Sequence, residues 1–259
     1  MKSSILYKYL DAEGGLAMLS NSNMQFTNAT KLNDPFDCHP SLIDFTQTPE
    51  DRTKIWGKEN YIRLEQNRFE RYRDKTWLCS LSKVNDSLLM WSYYNCHKGI
   101  CIGIDIEKTD RYLSNIFGAI NFGYQKFEVQ YKNIIEKPDF FKSNKALWEY
   151  QLSTKAKAWE HEQEVRLVLD TPTLMTPYYV PNNVEKEIFE DEEYVDNKEI
   201  RFIPKIGGEC FYSIYLGVSI NKEIKTQIIN IARNLNPQIK IHQMKEDAEA
   251  FKLQAELLV

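Results

Sequence analysis

TWLCSLSKVNDSLLMWSYYNCHKGICIGIDIE, Thr76 to Glu107, is the stretch whose reading decides the fold. Trp77 to Leu81 is a short apolar run, and Ser80 and Ser82 stand at its end. Lys83 to Ser87 is polar, and Leu88 to Tyr94 has helical character. Gly99 interrupts the pattern, and Ile100, Ile102 and Ile104 then alternate with Cys101, Gly103 and Asp105. Alternation at period two is a strand signal, so the stretch reads strand, loop, short helix, turn, strand. Ser80, Ser82, Trp91, Tyr94, His97 and Gly99 sit at the ends of these apolar pieces. Polar and aromatic groups gathered on the ends of buried strands build clefts, whereas the plainer reading is a core hairpin with a helix across it.

Outward from there, Ile5 to Leu10 reads as a strand and Asp11 as the cap of a helix ending near Leu19. Met24 to Thr27 is a second strand. Asn33-Asp34-Pro35-Phe36-Asp37 is a tight turn, because Asn and Asp bond nearby backbone and Pro fixes its own φ. Asn33, Asp34 and Asp37 are then candidates to border a pocket. Residues 48–75 form a charged helical insertion with a loose apolar stripe of Ile55, Tyr61, Leu64, Phe69 and Tyr72. Ile116 to Val129 contains strand-like pieces, including Ala119 to Phe122. A long helix is expected from about Ser143 to Ala158.

Gln163 to Leu169 alternates as a strand, with Glu164, Arg166 and Val168 on one face and Glu162 pointing the same way. Thr171 to Val184 reads as loop, and residues 185–199 as an exposed acidic excursion. Arg201 to Pro204, Ser213 to Val218 and Ile239 to Gln243 read as strands. A helix is expected from Asn221 to Leu235, and the tail Glu246 to Leu258 also reads as helical. These pieces make a single α+β domain over residues 1–259, on a bent, mostly antiparallel sheet flanked by helices.

Across 259 residues, 42% of them hydrophobic, there is ample material for a core. A net charge of −4 gives no global pull toward nucleic acid or membrane. Met1 to Leu10 lacks the long apolar stretch of a signal peptide, and no run approaches a membrane span, so a soluble, cytoplasmic protein is expected. Five cysteines, an odd number in a chain of this size, argue against a disulfide framework. Cys38-His39 and Cys96-His97 fit no familiar zinc spacing.

Three separated words carry a resemblance: Asn33-Asp34-Pro35-Phe36-Asp37, Met90-Trp91-x-x-Tyr94-x-x-His97-x-Gly99, and Trp159-x-x-Glu162-x-Glu164-x-Arg166. Together with Tyr7-Lys8-Tyr9 and Tyr215-Leu216-Gly217, they resemble the bacterial family named domain of unknown function 2971. That name implies no activity. The order of features also resembles an ADP-ribosyltransferase core. The resemblance implies a ligand-contacting residue on the first strand, here Tyr7 or Lys8, although that strand carries neither His nor Arg. It implies a Ser-x-Ser or an aromatic holding nicotinamide, here Ser80, Ser82 and Tyr94, and a late Glu-x-Glu, here Glu162 and Glu164.

On that resemblance NAD is the substrate. Glu164 faces the oxocarbenium-like ribose and Glu162 orients the acceptor. Tyr94 or Trp91 stacks the nicotinamide, Lys8 and Arg166 meet the pyrophosphate, and Asn33 and His97 complete the cofactor-binding set. It further implies a bacterial effector, a toxin or phage-defence enzyme, that modifies a protein or nucleic acid. Two other readings stand beside it. One is a non-catalytic sensor or partner-binding module of a defence or toxin–antitoxin system. The other is a metal-dependent nuclease, with Asp34, Asp37, Glu162 and Glu164 on magnesium and Lys155 or Lys157 near the phosphate.

Overall fold

The computed structural model describes residues 5–54, 57–118, 122–142, 146–170, 184–188 and 200–258. In chain order the elements are β1 (Ile5–Leu10), α1 (Ala12–Asn21), β2 (Phe26–Asn28), α2 (Glu50–Thr53), α3 (Lys58–Asp74), β3 (Thr76–Ser82), α4 (Leu88–Asn95) and β4 (Ile100–Asp105). Then follow α5 (Ile106–Gly118), β5 (Gly123–Glu128), β6 (Gln130–Lys132), α6 (Ala146–Ser153), β7 (Thr154–Ala156) and β8 (Glu164–Asp170). The last are β9 (Val184–Ile188), β10 (Ile200–Pro204), β11 (Phe211–Leu216), α7 (Lys222–Leu235), β12 (Lys240–Glu246) and β13 (Leu253–Leu257). Among the described residues eleven strands form one mixed, mostly antiparallel sheet, and β6 and β7 form a separate parallel pair.

Local chemistry sets the ends of the helices. Asp11 caps α1 by accepting from the Gly14 amide at 2.7 Å, and Asn221 caps α7 through the Glu223 and Ile224 amides. One face of the sheet carries the main core. Ile100, Ile102 and Ile104 of β4, Trp77, Cys79 and Leu81 of β3, and Leu167 and Leu169 of β8 pack there against α1, α5 and α7. On the opposite face α4 lays Met90 and Trp91 over Tyr9, Cys101 and Tyr215. Farther along that face Leu78 and Val168 meet Ala29, Cys38 and Leu152.

The sheet forks at β3. One edge of β3 pairs with β8 over its whole length, from Thr76 opposite Asp170 to Ser82 opposite Glu164. The other edge pairs with β2 at Trp77 and Leu78, and with β1 only at Ser82 opposite Tyr7. β1 meanwhile pairs along its full length with β4. Between these two short contacts β1 and β2 diverge, and the backbone of Cys79 to Leu81 faces a gap.

Several expectations are corrected. The long helix over 143–158 is short: α6 ends at Ser153, and Thr154 to Ala156 become strand β7, which a β-branched Thr favours. The tail is strand β13, paired antiparallel to β12, and not a helix. Residues 185–188 of the acidic excursion lie in β9, paired with β10, while 189–199 fall outside the described residues. So do Thr171 to 183 of the proline-bearing loop and 119–121 of the strand-like pieces. Of the insertion at 48–75, α2 and α3 are helical and Ile55 lies outside the described residues, but α3 packs: Tyr61 and Phe69 are buried, and Phe69 joins Ile43, Phe45 and Leu147 in a satellite core. Leu64 and Tyr72 of the expected stripe are exposed.

Candidate functional site

The fork opens into a cleft of about 470 Å³. Its walls include Tyr7 and Lys8 of β1, Ser80 and Ser82 of β3, Tyr94 of α4, Lys31, Asn33 and Asp37, and Lys155, Glu162 and Glu164. A volume of this size suits a ligand with several functional groups.

Two glutamates reach the cleft by way of a turn. Lys157 to Glu162 form a 3-10 turn, Gln163 takes a left-handed φ of 43°, and β8 starts at Glu164. Glu162 and Glu164 do face the same region, as alternation predicts, but the kink at Gln163 and not a pleat turns Glu162 inward. Bonds to the end of β3 strap this turn in place. The Ser82 hydroxyl donates to the Glu162 carbonyl at 2.6 Å, and the Lys83 amide donates to the Gln163 carbonyl at 3.1 Å.

Behind the cleft lies a buried ionic network. Arg166 is fully buried. Its guanidinium donates to both oxygens of Asp37 at 2.7 Å each, to Glu164 at 2.8 and 3.0 Å, and to the Leu152 carbonyl at 2.8 Å. Lys155 is buried beside it and donates to Glu162 at 2.6 Å and Glu164 at 3.1 Å, with Asp37 at 3.7 Å. Desolvating charges on this scale is costly, and only such complete pairing offsets it. Burial pushes the Glu164 carboxyl up, but the charges of Arg166 and Lys155 more than offset that and hold it well below the usual range. Burial works against the Lys155 charge, and Glu164, Asp37 and Glu162 together hold its pKa above the ordinary value. Asp37, Glu162 and Glu164 outnumber Arg166 and Lys155, so this end of the cleft keeps a negative bias.

The remaining walls are polar in a different sense. Lys8 Nζ donates to the Ser80 carbonyl at 2.9 Å, across the gap in the fork. Tyr94 donates to Glu162 Oε1 at 2.6 Å, and burial followed by that bond keeps its phenol protonated, well above its ordinary pKa. Tyr131, which lies outside the cleft wall, accepts from the Glu164 amide at 2.7 Å, and burial pushes its phenol up to about 12.

Of the residues expected at the site, Tyr7, Lys8, Asn33, Ser80, Ser82, Tyr94, Glu162 and Glu164 line this one cleft. Three do not. Trp91 is fully buried, its indole N–H donates to the Asn85 carbonyl at 2.8 Å and its ring packs edge-on against Tyr9, so it has no face left to stack a ligand. His97 forms the turn after α4 with a φ of 57°; its amide donates to Trp91 and its carbonyl accepts from Ser219. Arg166 lies behind Glu164, and Asp37 and Glu164 occupy its donors, so it cannot meet a pyrophosphate. On sequence alone Lys155 has only a nuclease role, and Asp37 is a candidate for a pocket border and for magnesium. Both prove to be core members of the network; Asp37 stands in the Asn33–Asp37 turn, whereas no local pattern marks Lys155.

The carboxylates expected to bind magnesium are committed elsewhere. Asp34 accepts from the Phe36 amide, Asp37 grips Arg166, and Glu162 and Glu164 hold Lys155. Among the described residues no group of three or more His, Cys, Asp and Glu is placed to hold a metal ion. Among the same residues no helix is long and apolar enough to cross a membrane.

The family model described as Protein of unknown function (DUF2971) matches residues 90–167. That stretch runs from α4 into β8 and carries Tyr94, Lys155, Glu162, Glu164 and Arg166. No curated protein and no solved structure matches the chain.

Proposed function

We propose that this protein, whose residues 90–167 match the DUF2971 family model, binds NAD in the forked-sheet cleft and transfers its ADP-ribosyl group to an acceptor, as ADP-ribosyltransferases do. One observation carries the reading. The first-strand pair Tyr7 and Lys8, the Ser80-x-Ser82 strand with Tyr94, and the Glu162-x-Glu164 turn come from distant parts of the chain and line one cleft.

The chemistry follows from the charges. Breaking the bond between ribose and nicotinamide leaves the electron pair on the nicotinamide nitrogen and develops positive charge at the anomeric carbon. The acceptor then bonds that carbon and loses a proton. A preorganised carboxylate facing the developing charge stabilises it without reorganising. The geometry favours Glu162 for this role over Glu164. Two fixed cations grip Glu164, whereas one oxygen of Glu162 is held only by the neutral Tyr94 hydroxyl. Glu164 then anchors the network and keeps Lys155 and Arg166 neutralised. An ammonium has three N–H donors and the bond to Ser80 uses one, so Lys8 has donors left for a phosphate.

A second reading, ligand binding without turnover, is supported by the completeness of the network, because every carboxylate at the acid end already has partners. Nicotinamide release and transfer of labelled ADP-ribose, measured with protein and nucleic-acid acceptors and with a chelator present, separate the two. Release that the chelator does not affect supports transfer. Saturable NAD binding without release supports the binding module, and the absence of both ends the NAD reading.

A further inference from the structure

Glu162 meets the cleft through one oxygen. Its Oε2 accepts from Lys155 and its Oε1 from the Tyr94 hydroxyl, each at 2.6 Å. These donors differ in freedom. Lys155 is buried, and three carboxylates surround it. Tyr94 stands on the cleft wall with 39% of its surface exposed and belongs to none of the hydrophobic clusters, so its hydroxyl is the more easily displaced of the two donors. The helix beneath it stays put, because Trp91 and Met90 anchor α4 to the sheet. A buried carboxylate oxygen without a donor is costly, so Tyr94 holds that position whenever nothing else does.

We propose that Tyr94 stands in for a ligand hydroxyl, and that it is the residue that restricts the acid end of the cleft to a neutral, hydroxyl-bearing sugar ring. This rests on the NAD reading, in which the ribose next to the scissile bond occupies that end. The groups facing the position all point one way. Asp37, Glu162 and Glu164 are acceptors that outnumber the two cations beside them, and Glu162 Oε1 is the one oxygen among them held only by a neutral donor. A phosphate or carboxylate there brings no donor and meets like charge. A carbonyl brings no donor either. A sugar hydroxyl replaces the phenol like for like, O–H to carboxylate.

The test titrates ADP-ribose and ADP against wild type and Tyr94→Phe. The two ligands share the nucleoside diphosphate, and only ADP-ribose carries the second ribose. In the variant the ligand hydroxyl no longer has to displace a resident donor. ADP-ribose should therefore bind about tenfold tighter, and ADP with unchanged affinity. Wild type should also show a tyrosine ultraviolet difference signal with ADP-ribose and none with ADP, and that signal does not depend on the variant folding. Unchanged or weaker ADP-ribose binding by a folded Tyr94→Phe overturns the inference, as does an equal change for both ligands or a missing difference signal. Failure of wild type to bind ADP-ribose at all overturns the reading of the cleft itself, and the inference with it.

Discussion

Arg166 and Asp37 stand 129 positions apart in the chain, yet both guanidinium NH groups reach both carboxylate oxygens at 2.7 Å. That fork-to-fork pair fastens the turn after Leu32 to the middle of β8, beneath the cleft floor. Removing one partner leaves a buried charge uncompensated, which typically costs about 3–5 kcal/mol. Asp37→Ala should therefore lower the melting temperature by roughly 6–20 °C. A change within 2 °C would show that the pair is not intact in solution.

The same network sets an expectation for pH. Glu164 is held below its ordinary range by Arg166 and Lys155, against burial, so its contribution is present above the unfolded value of about 4.3 and is lost as pH falls through the folded value. Lys155 is held above its ordinary value, so its contribution is present below about 10.4 and is lost as pH rises through the folded value. The melting temperature should be flat between these limits. Below about pH 4 it should fall more steeply for wild type than for Glu164→Gln, which has no such proton to gain. Parallel acid limbs in the two proteins would remove Glu164 from the account.

If the cleft performs ADP-ribosyl transfer, Glu162→Gln should retain NAD binding and lose turnover by roughly a hundred- to thousandfold, the cost of removing one preorganised electrostatic contact. Initial rates of nicotinamide release at saturating NAD check this. Undiminished rates in a folded variant would exclude Glu162 as the stabilising group.

Gly99 lies where three segments meet. A Cβ there would stand 2.1 Å from the Leu10 carbonyl and 2.8 Å from the Asp11 Cα, both backbone atoms that cannot step aside. Gly99→Ala should destabilise by at least about 1–3 kcal/mol, with urea denaturation as the readout. A neutral result would mean that the turn between α4 and β4 is looser than its bonds to Gly217 and Ser219 imply.

The sequence made much of the frame legible. β3, α4 and β4 follow the alternation and the breaks in Thr76 to Glu107, and Asp11 and Asn221 cap the helices they announce. Helix α5 was missed even though Ile106, Thr109, Leu113 and Ile116 recur at helical spacing, because strand-like pieces near its end drew the reading the other way. The cleft was legible as a set of words but not in its depth. Arginine and tryptophan at a presumed site suggest ligand contact, and only the three-dimensional pairing shows Arg166 and Trp91 turned into the core. Lys155 sat in an expected helix, where its direction could not be read; the parallel pair of β6 with β7 aims it inward.

The position of β1 has a consequence for how the protein is made. It lies between β4 and β3, with Ile5 opposite Asp105 and Tyr7 opposite Ser82. The ladder of β1 with β4 therefore cannot form until about a hundred more residues have been synthesised, roughly 5–20 s at ordinary elongation rates. Throughout that interval its apolar face, Leu6 and Leu10, is exposed in the nascent chain.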